Sequence, residues 1–193
     1  TVAVGVGSRG IANLTFVVAE IVRHLRSLGA EPFIVPAMAS HGGGTADGQL
    51  RILSSYGITG ESCGCPIRSS MEVVRVCESK LGFPVFFDRH AFEADHVVVC
   101  NRVKPHTLFS GPIQSGLLKM LMIGLGKRDG AGLYHRDGNG QARVIEDLRH
   151  TDFLSKQSGY HRKNVSSVLS GQPQLRRRHT MKLMCLNEPV MSK

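Results

Sequence analysis

The sequence predicts an α/β fold, in which an open, mostly parallel, Rossmann-like sheet carries helices on both faces and is followed by an irregular basic tail. Two observations lead to this prediction. Short apolar runs alternate with longer segments of helical periodicity, and glycine-rich turns follow the apolar runs. Strands that alternate with helices are typical of parallel sheets with right-handed crossovers. We assign residues 1–136 to the α/β domain and residues 137–193, where periodicity is weak, to the tail.

The first part of the chain contains two strand–helix units. Val2–Val6 and Pro32–Pro36 are apolar runs of the length and composition of buried strands. Helices are predicted over residues 14–28 and 46–56, since each segment follows a residue suited to cap a helix. These caps are Asn13 and Thr45.

The second part adds a hairpin and a third strand–helix unit. Residues 72–77 and 84–87 read as two strands of a hairpin, and residues 88–94 as a helical turn. Residues 96–103 contain an unbroken apolar run and form the predicted central strand. A helix is predicted over residues 112–123, because a proline lies in its first turn and glycines follow its end.

The charge distribution and the composition limit which partners the protein can bind and indicate its cellular compartment. Residues 1–135 carry 13 Lys/Arg and 10 Asp/Glu, whereas residues 136–193 carry 11 and 5, so the basic character belongs mostly to the tail. Its one arginine cluster, residues 176–178, has no interleaved aromatic residue, and we expect a solvated tail rather than a nucleic-acid-binding one. No apolar run approaches the roughly 20 residues that cross a bilayer, so no membrane partner is expected. The five cysteines, an odd number without framework spacing, favour reduced thiols and a cytoplasmic setting.

Three loops are expected to meet at the carboxyl edge of the sheet, where open α/β sheets bind their ligands. They follow the first, second and central strands. Their polar residues are Ser8, Arg9, Ser40, His41, Lys104 and His106.

The first of these loops, residues 5–10, matches the pattern GxGxxG of dinucleotide-binding turns. No acidic residue ends the second strand, where Pro36 and Ala37 stand, so the match is a weak indication of NAD binding. The glycine amides together with Arg9 suit an anion. A turn that needs glycine only for its backbone conformation is the alternative.

His41 and His106 are candidate acid–base residues. His41 lies among glycines, so nothing local would pack its ring into a core. His106 follows a proline directly after the central strand, which places it on a rigid scaffold. A neutral imidazole near its ordinary pKa suits proton transfer at pH 7. The alternative for His41 is a loop histidine without a catalytic role, and the alternative for His106 is a histidine that caps its loop.

Lys119 lies in the helix predicted over residues 112–123, which is apolar nearly all round and is therefore expected to be buried. Burial lowers the pKa of a lysine, and a partly neutral lysine is a nucleophile or an attachment point. A lysine whose amine reaches out to solvent is the alternative. Lys127 and Arg128 are interpreted as ordinary cations beyond the end of this helix, facing its dipole.

Four segments together resemble the N-terminal domain of the lactate racemase-like proteins, which are nickel-pincer-dependent racemases and epimerases of 2-hydroxy acids. The resemblance covers about residues 2–136 and rests on the order of the four motifs. The segments are VGVGSRG at residues 4–10, PAMASHG at 36–42, NRVKPHT at 101–107 and SGLLK at 115–119.

The resemblance implies a covalent cofactor and a pair of bases. In the family, a pyridinium-thioamide-thiocarboxylate mononucleotide, the nickel pincer, is joined to a lysine, and hydride moves from the substrate carbon to it and back. Carried over, Lys119 is the attachment lysine, and His41 and His106 alternate as acid and base. His135 is the nickel ligand. Ser8 and Arg9 contact the cofactor or the substrate. Cofactor-maturation proteins are then expected partners, and the oligomeric state stays open, a homo-oligomer included.

Departures from the family pattern bear on the substrate and on the chain. Lactate racemases carry an acidic residue shortly before the arginine of the first motif, where Val6 and Gly7 stand here, and the segment around Lys119 contains an insertion. The substrate therefore need not be lactate. The family also has a C-terminal domain that closes the cleft, which the tail does not resemble, so a truncated or altered chain with little activity is one explanation. Because the chain opens directly in a strand-like run, we also expect residues upstream of Thr1.

The leading hypothesis is thus an isomerase, a racemase or epimerase of a 2-hydroxy acid, or a truncated relative of one. The main alternative is a non-catalytic α/β module that binds a phosphate-bearing ligand through residues 7–10. A basic nucleic-acid-binding protein is a third and weaker interpretation.

Overall fold

The computed structural model describes residues 1–9, 11–79, 82–102, 119–136 and 180–186, and these residues form an α/β structure. Its elements, in chain order, are β1 (Val2–Val6), α1 (Leu14–Ser27), β2 (Pro32–Pro36), a 3₁₀ turn (Gly42–Gly44), α2 (Ala46–Ser55), α3 (Gly60–Cys63), β3 (Val73–Glu78), β4 (Pro84–Asp88), α4 (Arg89–Glu93), β5 (His96–Arg102), a π-helical turn (Met120–Gly124), α5 (Lys127–Arg136) and β6 (Thr180–Leu186).

The main sheet has four parallel strands in the order β2-β1-β5-β6. In β1, Val6 lies opposite Pro36 of β2 on one side and Cys100 of β5 on the other. β1 and β2 therefore end level, β5 continues to Arg102, and the loops that leave the three strands start from one edge. The fourth strand, β6, lies within the segment that the sequence predicts to be an irregular tail.

Both faces of the sheet carry a hydrophobic core, which explains why β1 reads as a continuous apolar run rather than an alternating one. On one face, Val4 and Val6 pack with Val18 of α1 and Leu53 of α2. The opposite face is covered by β4, by α4 and by the π-helical turn with Leu125 after it. Its buried residues include Ala3, Val97, Val99, Ala91, Leu121 and Leu125.

Several predicted elements are confirmed. β3 and β4 form an antiparallel hairpin, with a register shift between Arg75 and Cys77. Thr45 caps α2, since its hydroxyl oxygen accepts a hydrogen bond from the Gly48 amide at 3.1 Å. Asn13 occupies the cap position of α1, but its side chain makes no capping hydrogen bond and its backbone is left-handed, with φ at 58°.

The helix predicted over residues 112–123 differs most from expectation. Its first part lies outside the described residues. The turn Met120–Gly124 is π-helical, because the Leu125 amide donates to the carbonyl of Met120, five residues earlier, at 2.8 Å. A new helix, α5, then begins at Lys127, which the sequence does not predict.

Among the described residues, no helix combines the length and the apolar character that a membrane crossing requires.

Candidate functional site

The candidate site begins where two loops leave the carboxyl edge of the sheet. Residues 7–9 follow β1, and residues 37–41 follow β2, its parallel neighbour. A hydrogen bond from the Ala37 amide to the carbonyl of Val6, at 2.8 Å, joins the start of one loop to the end of the other strand. The two loops therefore run side by side, as the sequence predicts for polar residues that follow neighbouring parallel strands.

Ser8 and His41 meet across these loops. A short hydrogen bond joins the Oγ of Ser8 to the Nδ1 of His41, and its direction depends on the imidazole tautomer. The backbone of Ser8 is fixed in turn, because the Tyr56 hydroxyl donates to its carbonyl at 2.7 Å. A serine held against one ring nitrogen leaves the other nitrogen to face solvent or a ligand, which is the arrangement of an oriented base.

Two positive charges act on His41. Burial against the loops lowers the pKa of His41 below its ordinary value, although the side chain keeps an exposed surface, and the charges of Arg9 and Lys119 lower it further. The imidazole is therefore neutral at pH 7 and able to accept a proton. The same cations give this edge of the sheet a positive potential, which suits an anionic ligand.

Lys119 is positioned by the π-helical turn that follows it. This turn packs closely against the loops that follow β1 and β2. A Cβ added at Gly7 would lie 3.3 Å from the Cε of Met120, and one added at Gly124 would lie 2.8 Å from the carbonyl oxygen of Ala37. Glycine at these two positions lets the turn that follows Lys119 approach the residues after β1 and β2, and Lys119 itself is half-buried.

Lys127 is the residue whose place differs most from the sequence interpretation. It is not a cation at a helix end: it begins α5, and its side chain is fully buried with that of Asp88. Its Nζ lies 3.0 Å from Oδ2 of Asp88 and donates to the carbonyl of Pro36 at 2.5 Å. The Nζ–Oδ2 contact is thus a buried ion pair at hydrogen-bonding distance. Arg128, next in the chain, is exposed.

Burial lowers the pKa of Lys127, and the neighbouring Asp88 carboxylate opposes this effect. Asp88 is itself held by α4, because its Oδ1 accepts from the Ala91 amide at 2.8 Å. The pair thus joins the end of β4 to the start of α5, directly beneath the carboxyl end of β2. Sequence reasoning misses it because no local pattern separates Lys127 from an ordinary lysine after a helix.

Of the residues predicted to form the site, the structure brings four together at this edge: Ser8, Arg9, His41 and Lys119. The predicted second base, His106, lies outside the described residues. His135, the predicted nickel ligand, lies in α5, but its side chain is also outside them. The described part of the chain contains no group of three or more His, Cys, Asp or Glu side chains that could hold a metal.

No protein-family model matches the chain, and no curated protein is a significant match to it.

Proposed function

We propose that the chain is a racemase or epimerase of a 2-hydroxy acid, or a truncated relative of one. The observation that carries the proposal is the meeting of the Ser8–His41 pair with the charges of Arg9 and Lys119 at the carboxyl edge of a parallel sheet. We further infer that the sheet is Rossmann-like and open, a type in which this edge binds ligands.

In this proposal His41 is one of two bases. Its lowered pKa keeps the imidazole neutral at pH 7, so it can take the hydroxyl proton of one substrate enantiomer. Ser8 holds the ring through Nδ1, which leaves Nε2 to exchange the proton with the substrate. Racemisation needs a second base on the opposite side of the substrate carbon, and we assign that role to His106 on the resemblance alone.

The positive edge suits the charge of both expected ligands. A 2-hydroxy acid carries a carboxylate and the proposed cofactor carries a phosphate. Arg9 is exposed, so its guanidinium can pair with either group, in the bidentate geometry that arginine favours. We assign Arg9 and Ser8 to contacts with cofactor or substrate.

The described residues fit the lysine-linked, phosphate-bearing part of a nickel-pincer nucleotide, since Lys119 is half-buried beside another cation at this edge. When bound, the group supplies the hydride acceptor that protein side chains lack. Lys119 would hold it covalently. For nickel we assign His135 from the resemblance, and we derive no step through the metal.

The alternative is a non-catalytic module that binds a phosphate-bearing ligand through residues 7–10. The exposed Arg9 and the charge of Lys119 favour this function equally well, because both act on an anion without any reaction. Gly10 lies outside the described residues. The discriminating feature is the fate of Lys119, which is modified in the enzyme and unmodified in the module.

The test of the proposed reaction is a chiral assay. The chain is produced alongside cofactor biosynthesis and given single enantiomers of a panel of 2-hydroxy acids. We expect the protein to convert one of these acids into a mixture of both enantiomers, without accumulation of the oxo acid. The His41→Gln variant should carry out this conversion at least about 100-fold more slowly. A chain that carries the cofactor but converts no hydroxy acid would show that the proposed reaction is wrong.

We also propose a cytoplasmic setting and a set of partners. Cys63 and Cys65 are buried free thiols, which agrees with the cytoplasmic setting we propose. Cofactor-maturation proteins would be transient partners, a homo-oligomer is allowed, and we propose no partner among membranes or nucleic acids.

A further inference from the structure

A buried glutamine contacts the loop that carries His41. Gln49 lies in α2 and is fully buried. Its Nε2 donates to the carbonyl of Ala39 at 2.9 Å and lies 3.4 Å from the carbonyl of His41. The side-chain amide of Gln49 thus contacts the backbone of the residues on both sides of Ser40, and the second of these residues is His41 itself.

The same glutamine reaches the buried ion pair. Its Oε1 lies 3.4 Å from the Nζ of Lys127, which also pairs with Asp88 and donates to the carbonyl of Pro36. The carbonyls of Pro36, Ala39 and His41 are therefore all contacted by this buried chain of side chains. These three carbonyls span the whole connection from the end of β2 to His41.

The backbone around this connection is strained in two places. Ala39 has φ at 57° and Lys127 has φ at 55°, which is the left-handed region that a residue with a Cβ rarely adopts. The strained Ala39 is clamped on both sides, since its amide also donates to the carbonyl of Gly124 at 3.1 Å. Strain of this kind persists only where the surroundings fix the conformation, and it concentrates at functional sites.

We propose that Gln49 and the Asp88–Lys127 pair form a positioning network that holds His41 against Ser8. The three residues come from α2, from the end of β4 and from the start of α5, so the network ties separate elements to one loop. A packing role alone does not require a buried ion pair, because apolar side chains of similar volume fill a core at least as well. The network deepens the proposed function, but its main test reads the state of His41 and needs no turnover.

The test measures the pKa of His41 by NMR in the full chain, with its signal assigned among nine histidines by its loss in His41→Asn. Gln49→Leu removes the contacts to both carbonyls and to Lys127. The loop should then loosen, His41 should gain solvent and move away from Arg9 and Lys119, and its pKa should rise toward about 6.5. Within the described part of the chain, Arg9, Lys119 and Ser8 are the polar groups that act on the ring.

The matched control is Leu53→Ala, one turn further along α2. Leu53 is fully buried in the core against β1 and α1, away from the loop contacts described above. We expect this variant to lower the melting temperature and to leave the His41 titration unchanged. An unshifted pKa in Gln49→Leu would overturn the proposal, and so would an equal shift in Leu53→Ala.

A second measurement needs no variant, and it decides the question if Gln49→Leu does not fold. If the network fixes the loop, the amides of Ala39 and His41 should exchange with solvent as slowly as that of Val35 in β2. The Ala39 amide bonds to Gly124 and the His41 amide to Met38, at 3.1 and 3.0 Å. Rapid exchange of both amides in a protein whose β2 is protected would overturn the proposal.

Discussion

The Nζ of Lys127 lies 3.0 Å from the Oδ2 of Asp88, and neither side chain is exposed to solvent. Residues far apart in the chain thus form a buried ion pair below the loop that carries the candidate base. Removing one partner of such a pair leaves a buried charge uncompensated, whereas replacing both removes the charge altogether.

Lys127→Met should therefore destabilise the fold more than a double change. We expect the single variant to lower the free energy of unfolding by about 3–5 kcal/mol, and Asp88→Asn with Lys127→Met to recover a large part of the loss. The Asp88→Asn change keeps a side-chain oxygen that can cap α4, where Asp88 now accepts from Ala91. Urea unfolding measures both values. Additive effects of the two single changes would contradict a coupled pair.

Removing either of the two nearby cations, Arg9 or Lys119, should raise the pKa of His41, and removing Arg9 should raise it more. Burial is the largest cause of its lowered pKa, followed by Arg9 and then by Lys119. Arg9→Ala should thus raise the pKa of His41 partway toward its ordinary value, and Lys119→Ala should raise it less. Arg23→Ala is the control, since the guanidinium of Arg23 pairs with Glu20 on the surface of α1. NMR titration reads the three shifts, and an Arg23 effect as large as that of Arg9 would refute the assignment.

The same lowered pKa gives stability a defined dependence on pH. Between the ordinary value of about 6.5 and the lower value in the fold, the unfolded chain binds more protons at His41 than the folded one. Its contribution to stability is therefore present above pH 6.5 and is lost as the pH falls through this window. Comparing urea midpoints of the native chain and His41→Asn across the window isolates the effect. Identical pH profiles would exclude it.

Gly124 is predicted to be intolerant of a side chain. In Gly124→Ala the new methyl would lie 2.8 Å from the carbonyl oxygen of Ala37, so either the π-helical turn or the loop must move. We expect a loss of about 1–3 kcal/mol in the free energy of unfolding. Gly60→Ala is the control, because its nearest atom would be the Cys65 carbonyl oxygen at 3.5 Å, an ordinary contact. Equal stability of the two variants would show that the contact is not tight.

The elements that the sequence predicts are those governed by local rules. Apolar runs locate β1, β2 and β5, and Thr45 caps α2 as its position suggests. The meeting of Ser8 with His41 also follows from the sequence, since loops after neighbouring parallel strands share an edge.

The missed features depend on contacts between distant parts of the chain. Lys127 reads as a surface cation because its partner, Asp88, belongs to a hairpin strand that no local pattern connects to α5. Gln49 reads as one more polar residue of an amphipathic helix, and its burial depends on the loop that folds over it. The π-helical turn likewise includes a contact between distant parts of the chain, since Gly124 closely approaches Ala37.

The modification state of Lys119 tests the proposed enzyme most directly. The chain, produced alongside cofactor biosynthesis, is measured by intact-mass spectrometry, by peptide mapping and for nickel content, together with Lys119→Ala and Lys127→Met. We expect a nickel-bearing adduct on the peptide that contains Lys119, its loss in Lys119→Ala with the fold intact, and its retention in any Lys127→Met protein that folds. An unmodified mass without nickel, or an adduct that persists in Lys119→Ala, would contradict the proposed function.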